Sequence, residues 1–158
     1  MNSINKSDKV YFYLTAAFWF FLDRVTKTAV IDSLIPGKSK DIIYGFLALT
    51  HIKNRGASFG MLQNAKWFFI AVALIFTILI LVYIHFSKPD ILEKLALGSL
   101  LGGALGNLAD RVIYGEVTDF IDFYGIWPYV FNVADIAVCL GGITVILMIF
   151  FEYKRVKK

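Results

Sequence analysis

The sequence predicts an all-α integral membrane protein of four transmembrane helices, with a small β-sheet resting at the membrane interface. Three observations carry that expectation. Of the 158 residues, 58% are hydrophobic and 16% aromatic, where a soluble domain holds about 45–50% apolar residues; mean hydropathy is +0.68. Only 18% of residues are charged, and they cluster in tails, loops and segment ends. Apolar runs also recur near the length of about 20 residues that a helix needs to cross a bilayer. Residues 1–158 therefore read as a single membrane domain.

The first span is expected over about residues 10–31, interrupted by Asp23, Arg24 and Lys27. It differs from a cleavable leader because no A-x-A-like site follows its apolar stretch. Residues of about 32–66 are too many for a structureless connector. Pro36-Gly37 makes a turn there, and Ile42 to Ile52, rich in Ile, Leu, Tyr and Phe, reads as one or two short strands. The second span, 67–86, has no formal charge, and His85 is its only ionisable group. Ser87-Lys88-Pro89-Asp90 then turns the chain, since proline cannot continue the helix. The third span covers about 95–113. Its Gly98, Gly102 and Gly106 form two overlapping G-x-x-x-G spacings that let another backbone approach closely, a packing feature like Gly141-Gly142. After a loop, the fourth span runs over 133–151, with Asp135 near its start.

Charge narrows the partners. Sixteen Lys+Arg against 12 Asp+Glu give a net +4 without a continuous basic face, so the bases suit membrane headgroups and not nucleic acid. Cys139 is the lone cysteine, which excludes an intramolecular disulfide and a cysteine metal cluster. His51 and His85 lack metal-ligand spacing. No G-x-S-x-G elbow or phosphate loop occurs. An even number of spans puts both termini on one side. Lys6 and Lys9 in one tail, and Lys154, Arg155, Lys157 and Lys158 in the other, favour the cytoplasm. The first loop holds Lys38, Lys40, Lys53, Arg55 and Lys66, whereas residues 114–132 have no base, so the count alone leaves orientation open.

With the tails inside, the intramembrane polar residues gather in one layer near the outer surface. Asp23, Arg24 and Lys27 lie at the end of span one, Asn107, Asp110 and Arg111 at the end of span three, and Asn132 and Asp135 at the start of span four. The loop adds Glu116, Asp119 and Asp122. Charges at bilayer depth are costly and mark a function or a buried pair. Asp23 and Lys27 stand at i, i+4 in the favourable order for an ion pair, and Asn107, Asp110 and Arg111 share a face as a polar clamp. Asp119 and Asp135 have no adjacent base. Brought together in a dry site, two such acids share one proton, which suits a general base and a general acid acting on a peptide bond. For Asp135 a helix-capping role is equally open.

At this point the residues resemble the lipoprotein signal peptidases (signal peptidase II) of bacteria. The likeness runs through Asp23-Arg24-Val25-Thr26-Lys27, Asn54-Arg55-Gly56-Ala57-Ser58-Phe59, Gly102 to Arg111, Val117-Thr118-Asp119-Phe120, and Phe131-Asn132-Val133-Ala134-Asp135. Ser58 stands where the family usually has Ala, an exchange of small residues. The resemblance implies four spans, cytoplasmic termini, an extracytoplasmic sheet after span one, and location in the bacterial cytoplasmic (inner) membrane. It implies Asp119 and Asp135 as the catalytic aspartates, and Asp23, Lys27, Asn54, Gly56, Asn107, Asp110, Arg111 and Asn132 as positions that shape the site or hold substrate. The implied substrate is a prolipoprotein whose lipobox cysteine carries diacylglycerol, cut just before that cysteine, by an enzyme needing no metal or cofactor and inhibited by globomycin; a monomer is expected. Asn54 and Arg111 are expected to bind substrate carbonyl or headgroup atoms. Two other classes stay in view. A small transporter would need repeats and midplane charges, which are absent, and a non-enzymatic scaffold would use its acids only as caps and pairs.

Overall fold

The computed structural model describes residues 9–56 and 65–157. Ala57, Ser58 and Phe59 of the second motif, and Lys6 and Lys158 of the tails, lie outside them. The chain runs α1 (Val10–Ser33), β1 (Ser39–Ile43), β2 (Leu47–Asn54), α2 (Lys66–Phe86), α3 (Ile91–Ile113), β3 (Val117–Asp122) and α4 (Val133–Val156). The four helices fall on the four expected segments. The third starts at Ile91 and not near 95, because Asp90 and Glu93 form a capping box that satisfies the first-turn donors. The fourth continues past 151 through Glu152 and the basic residues to Val156, since cations favour a helix C-terminus.

Two of the helices, α2 and α4, are long and apolar enough by themselves to cross a membrane. In α1 the buried positions are Phe12, Ala16, Asp23, Lys27 and Val30, one helical stripe. Phe18, Phe21 and Val25 face outward at 59–66% exposure. A soluble helix hides its apolar side; this one hides Asp23 and Lys27 and turns large apolar side chains outward.

Helix α3 is the hub, packing against α1, α2 and α4. Its glycines do what their spacing predicts. A Cβ at Gly98 or Gly102 would stand 2.6 or 2.5 Å from the Phe12 or Ala16 carbonyl oxygen of α1, and one at Gly103 would collide with Ala134 O of α4. Gly141 likewise abuts α3 at Ala96 O, whereas Gly142 meets nothing, so only the first of that pair is a packing residue. Phe12, Ala16, Ile80, Ile84 and Leu101 form one core. At the same end the Lys9 ammonium reaches His85 O, placing the start of α1 beside the end of α2.

The sheet stands at the other end and has a third strand. Its order is β1-β2-β3, antiparallel throughout. The segment 117–122, expected to be loop, is β3, because Val117, Thr118, Asp119 and Phe120 are all buried and an isolated unpaired strand could not be buried. Val30, Phe120 and Val133 form a second core, with Trp19, Leu34 and Leu49 packed on it, which seats the sheet on α1 and α4. The expected turn at Pro36-Gly37 is present, with Gly37 at φ 81.

Candidate active site

Strand register places the first acid. Ile52 pairs with Asp119 and Asn54 with Val117, so Asn54 and Asp119 are diagonal neighbours on one face. Asn54 Nδ2 donates to Asp119 Oδ2 at 2.8 Å, while its Oδ1 accepts from Gly56 N at 2.9 Å. An isolated bridge between Ile121 and Phe131 then folds the chain back on β3, bringing the start of α4 to the same place.

Helix capping places the second acid. Asn132 Oδ1 accepts from Asp135 N at 3.0 Å, and Asn132 N donates to Asp135 Oδ2 at 3.2 Å, a reciprocal capping box. Asn132 Nδ2 also donates to Asp119 Oδ1 at 2.6 Å. One fully buried asparagine thus touches both acids. Asn107 Nδ2 donates to the remaining Asp135 oxygen at 2.8 Å, and Asn107 Oδ1 accepts from Asn132 Nδ2 and from Lys27 Nζ.

Asp119 and Asp135 line one open cavity of about 790 Å³, whose walls include Asn54, Phe123, Trp127, Phe131, Ile136, Cys139 and Leu140. Asp119 is 3% exposed. Burial, and then the charge of Asp135, push its carboxyl up to about 7, against the opposing amides of Asn54 and Asn132. It therefore holds or releases a proton near neutrality. Among the described residues no cation is within ion-pair distance of either acid.

The other polar residues divide into separate groups. Asp23, Lys27 and Asp110 join Arg24 in a buried four-charge cluster. Lys27 Nζ lies 3.0 Å from Asp23 Oδ2 and 2.9 Å from Asp110 Oδ2, and Arg24 bridges the same two acids at 2.8 and 2.6 Å. Arg111 turns elsewhere: it donates to Gly56 O and Asn107 O, and its guanidinium lies 4.9 Å from the Phe69 ring centroid. The expected clamp of Asn107, Asp110 and Arg111 is thus three side chains with three different duties. Asn54 and Arg111, expected to meet substrate, are engaged within the chain, on Asp119 and on the Gly56 carbonyl. Glu116 pairs with Lys53 and Arg55 at 2.8 and 3.0 Å, which accounts for two of the loop bases that blurred the orientation count. Lys53, and then Arg55, hold the Glu116 carboxyl below its usual range.

Arg24 stands in the expected polar layer but not among the expected site-shaping residues, and the structure adds it to them. Its signal was charge balance: Asp23 and Asp110 need two cations, and Lys27 supplies one.

An outward-facing apolar bundle with two acids on one cavity at its sheet end has the architecture of a membrane enzyme. Comparison with known proteins specifies it. The profile of the Signal peptidase (SPase) II family matches residues 15–151. The lipoprotein signal peptidase of Syntrophomonas wolfei is 45% identical over 134 residues, covering 85% of this chain and 89% of the relative; that of Clostridioides difficile is 44% identical over 134 residues, covering 84% and 90%. Two solved bacterial membrane enzymes, determined by the in meso method at 2.3 and 1.9 Å resolution, superpose with TM-scores of 0.84 and 0.76. They are 32% and 34% identical, covering 90% and 86% of this chain and 88% and 90% of theirs. The chain belongs to the signal peptidase II family and is a peptidase.

Proposed function

We propose that the protein removes the signal peptide from prolipoproteins whose lipobox cysteine carries diacylglycerol, cutting just before that cysteine, with Asp119 and Asp135 as the catalytic pair. The observation that carries this reading is the shared cavity: two acids lie on it, joined through Asn132 and unpaired with any cation among the described residues. The ionised member takes a proton from water, and the resulting hydroxide attacks the scissile carbonyl carbon. The protonated member donates to the carbonyl oxygen, and collapse of the tetrahedral intermediate passes a proton to the leaving amine. The raised affinity of Asp119 for its proton near neutral pH supports the division of labour.

All four helices are read as spans. The outward Phe18, Phe21 and Val25 of α1, and its inward charges, support this for a helix whose composition alone is equivocal. Both termini are assigned to the cytoplasm and the sheet to the outer face of the bacterial inner membrane. The basic C-terminal end of α4 and the contact of Lys9 with His85, far from the sheet, support that polarity. A second groove of about 750 Å³ between α2 and α3, lined by Phe76, Leu79 and Leu100 and ending at Asn107 and Arg111, suits an apolar helix or acyl chain lying beside the acids. No residue set is assigned to a metal or cofactor, and the enzyme is read as a monomer.

The test is cleavage by purified protein of a diacylglyceryl-modified precursor peptide and of its unlipidated twin, with and without globomycin. Globomycin-sensitive cleavage of the lipidated peptide alone is expected. Equal cleavage of both peptides, or of neither, would overturn the substrate assignment.

A further inference from the structure

We propose that Asp23 and Asp110 are positioning residues for peptide-bond cleavage, each holding the backbone N–H of the residue just before one acid of the pair; this rests on the reading of Asp119 and Asp135 as catalytic. Ala134 N donates to Asp23 Oδ1 at 3.0 Å, and Thr118 N donates to Asp110 Oδ2 at 3.2 Å. Ala134 precedes Asp135, and Thr118 precedes Asp119. The two carboxylates are in turn bridged twice, by Lys27 and by Arg24. The cluster therefore spans the two chain segments that carry the acids, from α1 to α4 on one side and from α3 to β3 on the other.

The division of oxygens is specific. Both cations take Asp23 Oδ2, which leaves Oδ1 for Ala134. Asp23, Asp110 and Ala134 are fully buried, and Thr118 is buried too. Such an amide has no water to fall back on. The junction is also tight: a Cβ at Gly106 would stand 2.6 Å from Asp23 Oδ2 and 3.2 Å from Ala134 Cβ. Glycine at 106 lets carboxylate, helix α3 and the first turn of α4 meet. Neither Asp23 nor Asp110 lines the cavity; each meets the backbone beside one acid.

The test separates hydrogen-bond acceptance from charge. Two charge-balanced pairs are compared, Asp23→Asn with Lys27→Met, and Asp23→Leu with Lys27→Met. Both lose one acid and one base, but only asparagine retains an oxygen for Ala134 N–H. The leucine pair is expected to show kcat lower than the asparagine pair by about 10²-fold, the scale of an ångström-sized misplacement, with KM within about threefold and rates normalised to folded protein. Equal kcat values after that normalisation would show a purely structural role and overturn the proposal. If either pair fails to fold or turn over, Gly106→Ala decides. It keeps every charge and pushes against the Asp23 carboxylate, so lowered kcat at unchanged KM supports the clamp and wild-type kcat sinks it. Asp119→Asn and Asp135→Asn run in the same assay. Their activity would overturn the catalytic pair itself, whereas inactive Asn variants beside a fully active leucine pair would reject the clamp alone.

Discussion

Two clusters of acids lie side by side in this protein and differ in their partners. Asp23 and Asp110 are bridged by Lys27 and Arg24, two negative against two positive charges, and do not line the cavity that holds the other two acids. Asp119 and Asp135 are surrounded by the amides of Asn54, Asn107 and Asn132 and open onto it. Amides orient a carboxylate without neutralising it, whereas a buried cation compensates its charge. The compensated acids tie α1, α3, β3 and α4 together, whereas the uncompensated acids stand on the cavity.

The largest effect tests the uncompensated pair. Asp119→Asn or Asp135→Asn should each lower kcat for the lipidated peptide by about 10⁴-fold, the upper range for loss of general acid–base catalysis; turnover within tenfold of wild type would erase the contrast. Asp119→Asn should also stabilise the fold above neutrality. A carboxyl raised to about 7 binds its proton more tightly folded than unfolded, so stability falls as pH rises from the unfolded value, about 4, to about 7. The variant should therefore unfold at a higher temperature than wild type at about pH 8 and show little gain at about pH 5.

The compensated cluster should answer differently. Asp110→Leu strands Lys27 and Arg24 beside a single acid, and breaking a buried pair costs about 3–5 kcal/mol. Thermal unfolding in detergent should show it as a large loss of stability at every pH where wild type is folded. A variant as stable as wild type would mean the cluster is not the frame.

Smaller shifts sharpen the comparison. Asn54→Ala removes a donor that holds the Asp119 proton affinity down, so the alkaline limb of the pH–rate profile should move upward. A hydrogen bond to a charge contributes about 1.5–3 kcal/mol, which corresponds to about one unit or more; movement downward would contradict the geometry. The smallest effect is expected from Glu116→Gln. Its partners Lys53 and Arg55 are more than half exposed, and such surface pairs are worth about 0–1 kcal/mol. Unfolding curves at low and high salt should nearly coincide with wild type.

Much of the fold was legible because a bilayer demands long apolar segments, and the segments at 67–86 and 133–151 meet that demand in composition alone. The strand at 117–122 was not, since four consecutive buried residues show no alternation, and its pairing partner β2 lies more than sixty residues away. Among site residues, the pairing of Asp23 with Lys27 followed from helical spacing. The divergence of Asp110 from Arg111 did not, because adjacent positions on α3 face different neighbours.

Composition and periodicity determined that the chain belongs in lipid, that its helices pack through glycine, and that most of its polar residues gather toward one end, because each of these depends on local spacing. Tertiary structure decided which acids are paired with cations and which are held by amides alone. That outcome depends on long-range partners: Arg24 meeting Asp110 across two helices, and Asn132 reaching Asp119 only after the Ile121–Phe131 bridge turns the chain back. Proton affinity is set by such neighbours and by burial, and neither is present in a linear string of residues.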